Sequence, residues 1–298
     1  MRIIVLGYNS FVGSAIINYF NSMDNIELVC VGRRDSDLHK VVRFEVADNV
    51  ALLNNDVSNL IINLDLDSES VIINCISVGD LDKCEMNKDS CEMQNYQFVN
   101  ILYNHLKNYN FKKLIHFSTN AVYDGNNAPY NEKSKCAPIN FYGLVKLKTD
   151  TFLLDQEDSR IIVMRPITMY GRVSPGGRPN PTSMIIEKLK NKQNLRLVND
   201  VLVNILYVED LVKAIEKLIE KDFSGLINIS GNEVYSRYDL GLEIAKLLDM
   251  KEELIESVTS TEFKTVANRP LDTSFDNTLM KKNGIHPRTL KQTILNLL

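Results

Sequence analysis

An α/β fold, a doubly wound parallel sheet with a smaller C-terminal lobe, is predicted by three observations. Several runs of five or six residues are continuously apolar, as in strands buried on both faces. Stretches with helical periodicity separate them. A glycine-bearing turn, GYNSFVG (7–13), follows the first run directly and opens a helix.

The elements follow in order. RIIVL (2–6) reads as a strand and FVGSAIINYF (11–20) as a helix. ELVCVG (27–32) is a second strand and VIINCI (71–76) a later one. A long helical segment covers about 84–108, with KKLIHFS (112–118) as the next strand. A helix starts near Asn140, after Pro138, and RIIVMR (160–165) is a further strand. Beyond residue 166 the texture changes. GRVSPGGRPNPT (171–182), rich in Gly, Pro and Arg, is expected to form an ordered loop or lid. A helix at 182–192, a strand NILYV (204–208), a helix at 209–221, a strand GLINIS (225–230) and a helix over about 238–249 complete the chain. Residues 1–166 are read as the main domain and 167–298 as mainly the lobe, with a segment near 200–222 returning to the main domain.

Composition bounds the function. The chain has 298 residues with 34 Lys and Arg against 38 Asp and Glu, a net charge of −4. That balance argues against nucleic-acid or anionic-membrane partners, which need a basic face. No apolar run reaches the roughly 18 residues of a spanning helix. The first strand runs straight into the turn with no cleavage region, so no signal peptide is expected. The five cysteines form no CxxC pair, the four histidines are scattered, and reduced thiols in a cytoplasmic protein without a metal are expected.

The turn is the first functional signal. A dinucleotide-binding (Rossmann) turn reads glycine, two residues apart, three times over; here Gly7 and Gly13 hold the outer roles and Ser10 the middle place. The first glycine makes the tight bend and the third lets helix pack on strand. Ser10 adds only a hydroxyl, so a phosphate still fits and gains a hydrogen-bond donor. The helix start at Phe11 and Val12 adds aimed N–H groups and a positive dipole end. The second strand ends VGRRD, with Arg33 and Arg34 where an NAD site places an acid. Arginine there suits the 2′-phosphate of NADPH. Asp35 follows closely and leaves NADH as the alternative.

The second signal is a constellation. HFSTNAVYDG (116–125) follows a strand and FYGLVKLK (141–148) opens a helix. Tyr142 and Lys146 are four apart and share a helical face. Thr119 precedes Tyr142 by 23 residues (142 − 119). A lone YxxxK is common, but joined to the turn and the strand-end hydroxyls it is specific. The ammonium of Lys146 is expected to favour the phenolate and lower the tyrosine pKa from about 10.

These motifs together resemble the extended short-chain dehydrogenase/reductases over essentially the full length, and within them the dTDP-4-dehydrorhamnose reductase group of sugar-nucleotide reductases. Besides the stretches above, VIINC (71–75), DLDKCE (80–85), Asn100, RPITMYG (165–171), NILYVEDLVKAI (204–215) and NRPLD (268–272) carry the likeness. Ser10 and NCIS (74–77), where alanines are usual, depart from it. The resemblance implies an NADPH-dependent ketone reduction in which Tyr142 donates a proton, Thr119 holds the ketone oxygen and Lys146 also binds the nicotinamide ribose. It further implies cofactor contacts at Cys75, Ile76, Ser77 and Arg165. Family dehydratases carry an Asp–Glu pair after the threonine; Asn120 and Ala121 stand here and neither can act as acid or base. Substrate contacts are expected from Asn120, from Arg269 near the nucleotide diphosphate, and from Arg172 and Arg178 in the polar loop, since arginine reads phosphate well. Relatives often dimerise through the tyrosine helix and the helix before it, here about 140–155 and 84–108, which implies a homodimer. Two alternatives stay open: a catalytically silent NADP-binding regulator resembling the regulatory subunit of methionine adenosyltransferase, and a nucleotide-sugar epimerase.

Overall fold

The computed structural model describes residues 1–36, 39–173, 177 and 179–298. Its centre is a seven-stranded sheet in which every neighbouring pair is parallel. In chain order the first half runs β1 (Arg2–Leu6), α1 (Phe11–Phe20), β2 (Glu27–Gly32), β3 (Val41–Arg43), α2 (Val50–Leu64) and β4 (Ser70–Asn74). Then come α3 (Leu81–Met86), α4 (Lys88–Glu92), a π-helical turn (Met93–Gln97), α5 (Phe98–Leu106), β5 (Lys113–Phe117), α6 (Phe141–Leu154) and β6 (Ile161–Pro166). The second half holds β7 (Met169–Tyr170), α7 (Pro181–Lys190), β8 (Leu195–Val198), β9 (Val203–Asn204), β10 (Leu206–Tyr207) and α8 (Val208–Glu220). It ends with β11 (Gly225–Ile229), β12 (Val234–Tyr235), α9 (Arg237–Leu247), β13 (Ile255–Val258), α10 (Thr278–Lys282) and α11 (Leu290–Thr293).

The strand order is β11-β6-β5-β4-β1-β2-β3. The order reverses between β1 and β4, and it is outside the carboxyl ends of strands at such a point that α/β sheets bind ligands. One apolar layer on each face covers the sheet. Ile3, Val5, Ile73 and Ile115 face α1 and α8, whereas Ile4, Leu6, Ile72 and Leu114 face α2 and α5, the alternation that period-2 strands impose. β11, read from the sequence as part of the later lobe, is an edge strand of this sheet, and α8 packs on α1.

The remaining second half is built around the two-stranded parallel pair β8–β13, with α7 and α9 packed together beside it. Two expected elements differ. The helical segment 84–108 is broken into α3, α4, the π turn and α5, because the Asn87 side chain caps α4 by accepting from the Ser90 N–H. The strand 204–208 is two short pieces, β9 and β10. β3 and α2 were not anticipated.

Candidate active site

The turn after β1 behaves as two glycines demand. Gly7 has φ +78°, and a Cβ there would lie 3.1 Å from the Cys75 carbonyl carbon, so only glycine suits both the backbone and the approach of β4. A Cβ on Gly13 would stand 2.4 Å from the Gly7 carbonyl oxygen, so its missing side chain is what seats α1 on β1. Ser10 has a structural use as well: it is the N-cap of α1, and its Oγ accepts from the Gly13 N–H at 3.1 Å. Ser10 O accepts from the Ser14 N–H. Of the four first-turn N–H groups a helix leaves open, those of Phe11 and Val12 remain for an anion.

A cleft of about 400 Å³ opens at this turn, at the sheet's switch point. Gly7, Ser10, Phe11, Arg33, Arg34, Cys75, Ile76 and Ser77 line it. Val12 and Gly13 do not; they lie behind it, against the core. Sequence reasoning missed Phe44, Val46 and Gln94 on its wall. It also missed Arg43, which decides the meaning of Asp35. Arg43 donates through Nε at 2.7 Å and through Nη2 to the two Asp35 carboxylate oxygens, and through Nη1 to the Arg33 carbonyl. The acid that could serve a ribose hydroxyl is thus already paired. Arg33 faces Glu45 at 3.3 Å, and the Arg34 guanidinium has no partner among the described residues. Tyr8 pins the Arg34–Asp35 backbone, donating from its hydroxyl to both carbonyls at 3.0 and 3.1 Å.

Arg165 is a correction. It is 3% exposed, donates from Nε to Asp150 Oδ2 at 2.9 Å and from Nη1 to the Tyr123 hydroxyl, and lies away from the cleft. Burial favours such a pairing, which spends the charge inside the fold. Ser118 is drawn into the same pair, donating to Asp150 Oδ2 at 2.8 Å. That leaves Thr119 as the strand-end hydroxyl facing a ligand.

Tyr142 and Thr119 are brought together by close helix packing. Asn140 caps α6, its Oδ1 accepting from the Gly143 N–H at 2.8 Å. A Cβ on Gly143 would stand 2.1 Å from the Ala121 carbonyl oxygen, so glycine there lets α6 settle on the 120–122 turn that follows Thr119. The Tyr142 phenol, 8% exposed, lies beside the hydroxyls of Thr119 and Ser77. Burial pushes its pKa up to about 12 against the lowering effect of those two neighbours. The expected lowering by Lys146 is not found. The ammonium, 1% exposed, is engaged elsewhere, donating to the Phe117 carbonyl and meeting His116 Nε2 at 3.2 Å. Burial holds the Lys146 pKa down at about 8. Neither Tyr142 nor Lys146 lines the cleft itself. The Asn100 side chain bonds Asn104, while Asn95 in the π turn holds the Ser77 segment, accepting from Ser77 Oγ at 2.8 Å and from the Val78 N–H at 3.1 Å.

On the other side of Thr119 lies a second cavity, of about 530 Å³. Thr119, Asn120, Ala121, Arg237, Arg269 and Thr273 are on its wall. Asn120 Nδ2 donates to Thr273 Oγ1 at 2.6 Å, which fixes the amide. Arg269 pairs with Asp82 through Nη2 at 3.0 Å, while its buried Nη1 has no partner. Arg172 is exposed and lines neither cavity. Arg178 lies outside the described residues. All five cysteines are free thiols. Among the described residues no cluster has the makings of a metal site, and no helix is long and apolar enough to cross a membrane.

Comparison with known proteins fits this geometry. A family model described as the RmlD substrate binding domain matches residues 1–298. The spore coat polysaccharide biosynthesis protein SpsK of Bacillus subtilis (strain 168) is 26% identical over 227 residues, 75% of this chain and 77% of that protein. A dTDP-4-dehydrorhamnose reductase of Aggregatibacter actinomycetemcomitans is 25% identical, covering 76% of this chain and 80% of its own. Methionine adenosyltransferase 2 subunit beta of Pongo abelii is 26% identical, and the match spans 54% of it. Among solved structures, a dTDP-4-dehydrorhamnose reductase from Clostridium acetobutylicum superposes with TM-score 0.82 at 23% identity, over 99% of this chain and 97% of that one. One from Bacillus anthracis, in complex with NADP, gives 0.80 at 20%, over 99% and 98%. The structural likenesses carry the fold, and the full-length family match carries the kinship: the chain belongs to the RmlD substrate-binding family, in the extended short-chain dehydrogenase/reductase mould.

Proposed function

We propose that this protein reduces the 4-keto group of a nucleotide-activated 6-deoxy sugar with NADPH, in cell-surface polysaccharide precursor synthesis. One observation carries the reading. The Tyr142 phenol lies between Ser77, on the wall of the cofactor cleft, and Thr119, on the wall of the substrate cavity, close enough to feel both hydroxyls. A proton donor at the partition between two cavities serves a reaction that joins their contents. The names of the A. actinomycetemcomitans reductase and of SpsK point the same way.

The residues fit the cofactor. The Phe11 and Val12 N–H groups suit a pyrophosphate, and Arg34, unpaired among the described residues, with Asp35 paired to Arg43, suits a 2′-phosphate better than a free ribose. Bound NADPH supplies a hydride equivalent to the ketone carbon. Tyr142, protonated at pH 7 as a phenol, gives its proton to the ketone oxygen. Thr119 addresses that oxygen and keeps it in line with the phenol. Asn120, locked to Thr273, offers no acid or base, which separates the site from a dehydratase. A cytoplasmic setting and a homodimer through α6 and the 81–106 helices belong to the same reading; Met86 and Leu144 are the apolar side chains exposed there.

The test is NADPH absorbance decay with a panel of 4-keto-6-deoxy nucleotide sugars made in place by a separate dehydratase. Turnover of at least one is expected. NADPH binding without consumption of any panel member would favour the silent regulator instead, the reading that the likeness to methionine adenosyltransferase 2 subunit beta supports.

A further inference from the structure

Arg237, the first residue of α9, stands where two cavities meet, and nothing in the sequence singled it out. The substrate cavity begins at Thr119 and Asn120 and reaches Arg237. A further cavity, of about 550 Å³, begins at Arg237 and runs between Pro179–Pro181 and Met184 on one side and Arg196–Val198 on the other. The wall common to both consists of Thr168, Val198, Arg237 and Phe263. Among the described residues Arg237 is the one cation on that wall.

Its guanidinium is half-buried and has no hydrogen bond or ion pair among the described residues. The acid nearest in sequence, Asp239, is committed to the helix cap: its carboxylate accepts from the Ser236 N–H and hydroxyl at 3.3 and 2.6 Å. Burial without a carboxylate pulls the Arg237 pKa down to about 10. The other cation of the second cavity among the described residues, Arg196, is consumed by Glu256 and Glu262. A buried cation with no counter-charge is costly, and an anionic ligand removes that cost. Arg269, on the wall of the first cavity, keeps one buried guanidinium nitrogen, Nη1, without a hydrogen-bond partner.

The two cavities have the sequence of parts of a nucleotide sugar. With a sugar ketone against Thr119 and Tyr142, the next group outward is a diphosphate, and beyond it a nucleoside. We propose that Arg237 is the diphosphate anchor of the substrate, working with Arg269, and that the nucleoside occupies the cavity beside α7 and β8. This rests on the nucleotide-sugar reading of the site. It adds a residue and a direction that the reading alone lacks: the substrate leaves Thr119 toward the N-terminus of α9. The planar fork of Arg237 can bridge both phosphates, which a monophosphate cannot exploit.

Titration calorimetry on the full chain tests it. The cofactor cleft is filled with NADP⁺, and dTDP, UDP, GDP and CDP are offered in turn. The tightest is then compared with its own monophosphate, in wild type and in Arg237→Met. The variant is expected to bind the diphosphate roughly 10- to 100-fold more weakly, the worth of a charged hydrogen-bonded contact. Its preference for diphosphate over monophosphate should collapse to within a few-fold, with NADP⁺ affinity unchanged. Arg237→Lys, which keeps the charge but loses the fork, should fall between, and it carries the test if Arg237→Met fails to fold. Undiminished diphosphate binding in both variants overturns the anchor and leaves the nucleotide-sugar reading standing. Wild-type protein that binds NADP⁺ but none of the four diphosphates overturns both.

Discussion

The cofactor cleft and the substrate cavity, which approach each other at Ser77 and Thr119 on either side of Tyr142, are made of different material. The cleft is largely main chain and short side chains at the ends of β1, β2 and β4, gathered at the sheet's switch point. Its critical contacts, the Gly7 turn and the seat of α1 on Gly13, are backbone against backbone. The cavity is lined by residues collected, among those described, from six distant segments: Leu81, 119–121, Thr168, 198–203, Arg237 and 260–273. A backbone site inherits its geometry from the fold, so relatives can share it at low identity. A side-chain site is set residue by residue, which is where substrates come to differ.

That contrast predicts where substitutions act, beginning with the largest effect. Arg165 lies beneath both sites and serves neither, so Arg165→Met should cost about 3–5 kcal/mol of stability by stranding the Asp150 carboxylate, already short of a partner at Oδ1. Urea unfolding measures this, and NADPH affinity of the remaining folded protein should be unchanged. Lost affinity at full stability would return Arg165 to the cofactor. A smaller effect is expected in the cleft, where Arg34→Ala should weaken NADPH roughly 10- to 100-fold while NADH changes little. Cofactor fluorescence titration reads both, and equal losses would break the 2′-phosphate assignment.

The same contrast explains what was legible. The parallel sheet, the glycine turn and the Thr119, Tyr142, Lys146 constellation are short-range patterns, and the strands of the first half lie within a residue or two of their expected bounds apart from β3. Gly143, whose absent Cβ allows Thr119 and Tyr142 to meet, sits inside the quoted motif but has no signature of its own. α2 did carry a signal, since Leu53, Val57, Leu60, Ile61 and Leu64 are spaced for one helical face. β3, three residues long, carried none, and with it Arg43 and the neutralisation of Asp35 were hidden. Lys146 reads from spacing as a partner of Tyr142, yet its ammonium is drawn to Phe117 and His116, a choice made by tertiary packing. Arg237 resembles any arginine after an N-cap; only the meeting of two cavities distinguishes it.

The central claim is that the phenol between the two sites delivers the proton, and Tyr142→Phe tests it most directly. The change removes one hydroxyl, so NADPH binding and the unfolding midpoint should match wild type. With a 4-keto-6-deoxy nucleotide sugar that the wild type turns over, NADPH consumption should drop by roughly 10²–10⁴. Turnover by Tyr142→Phe at the wild-type rate would contradict the account.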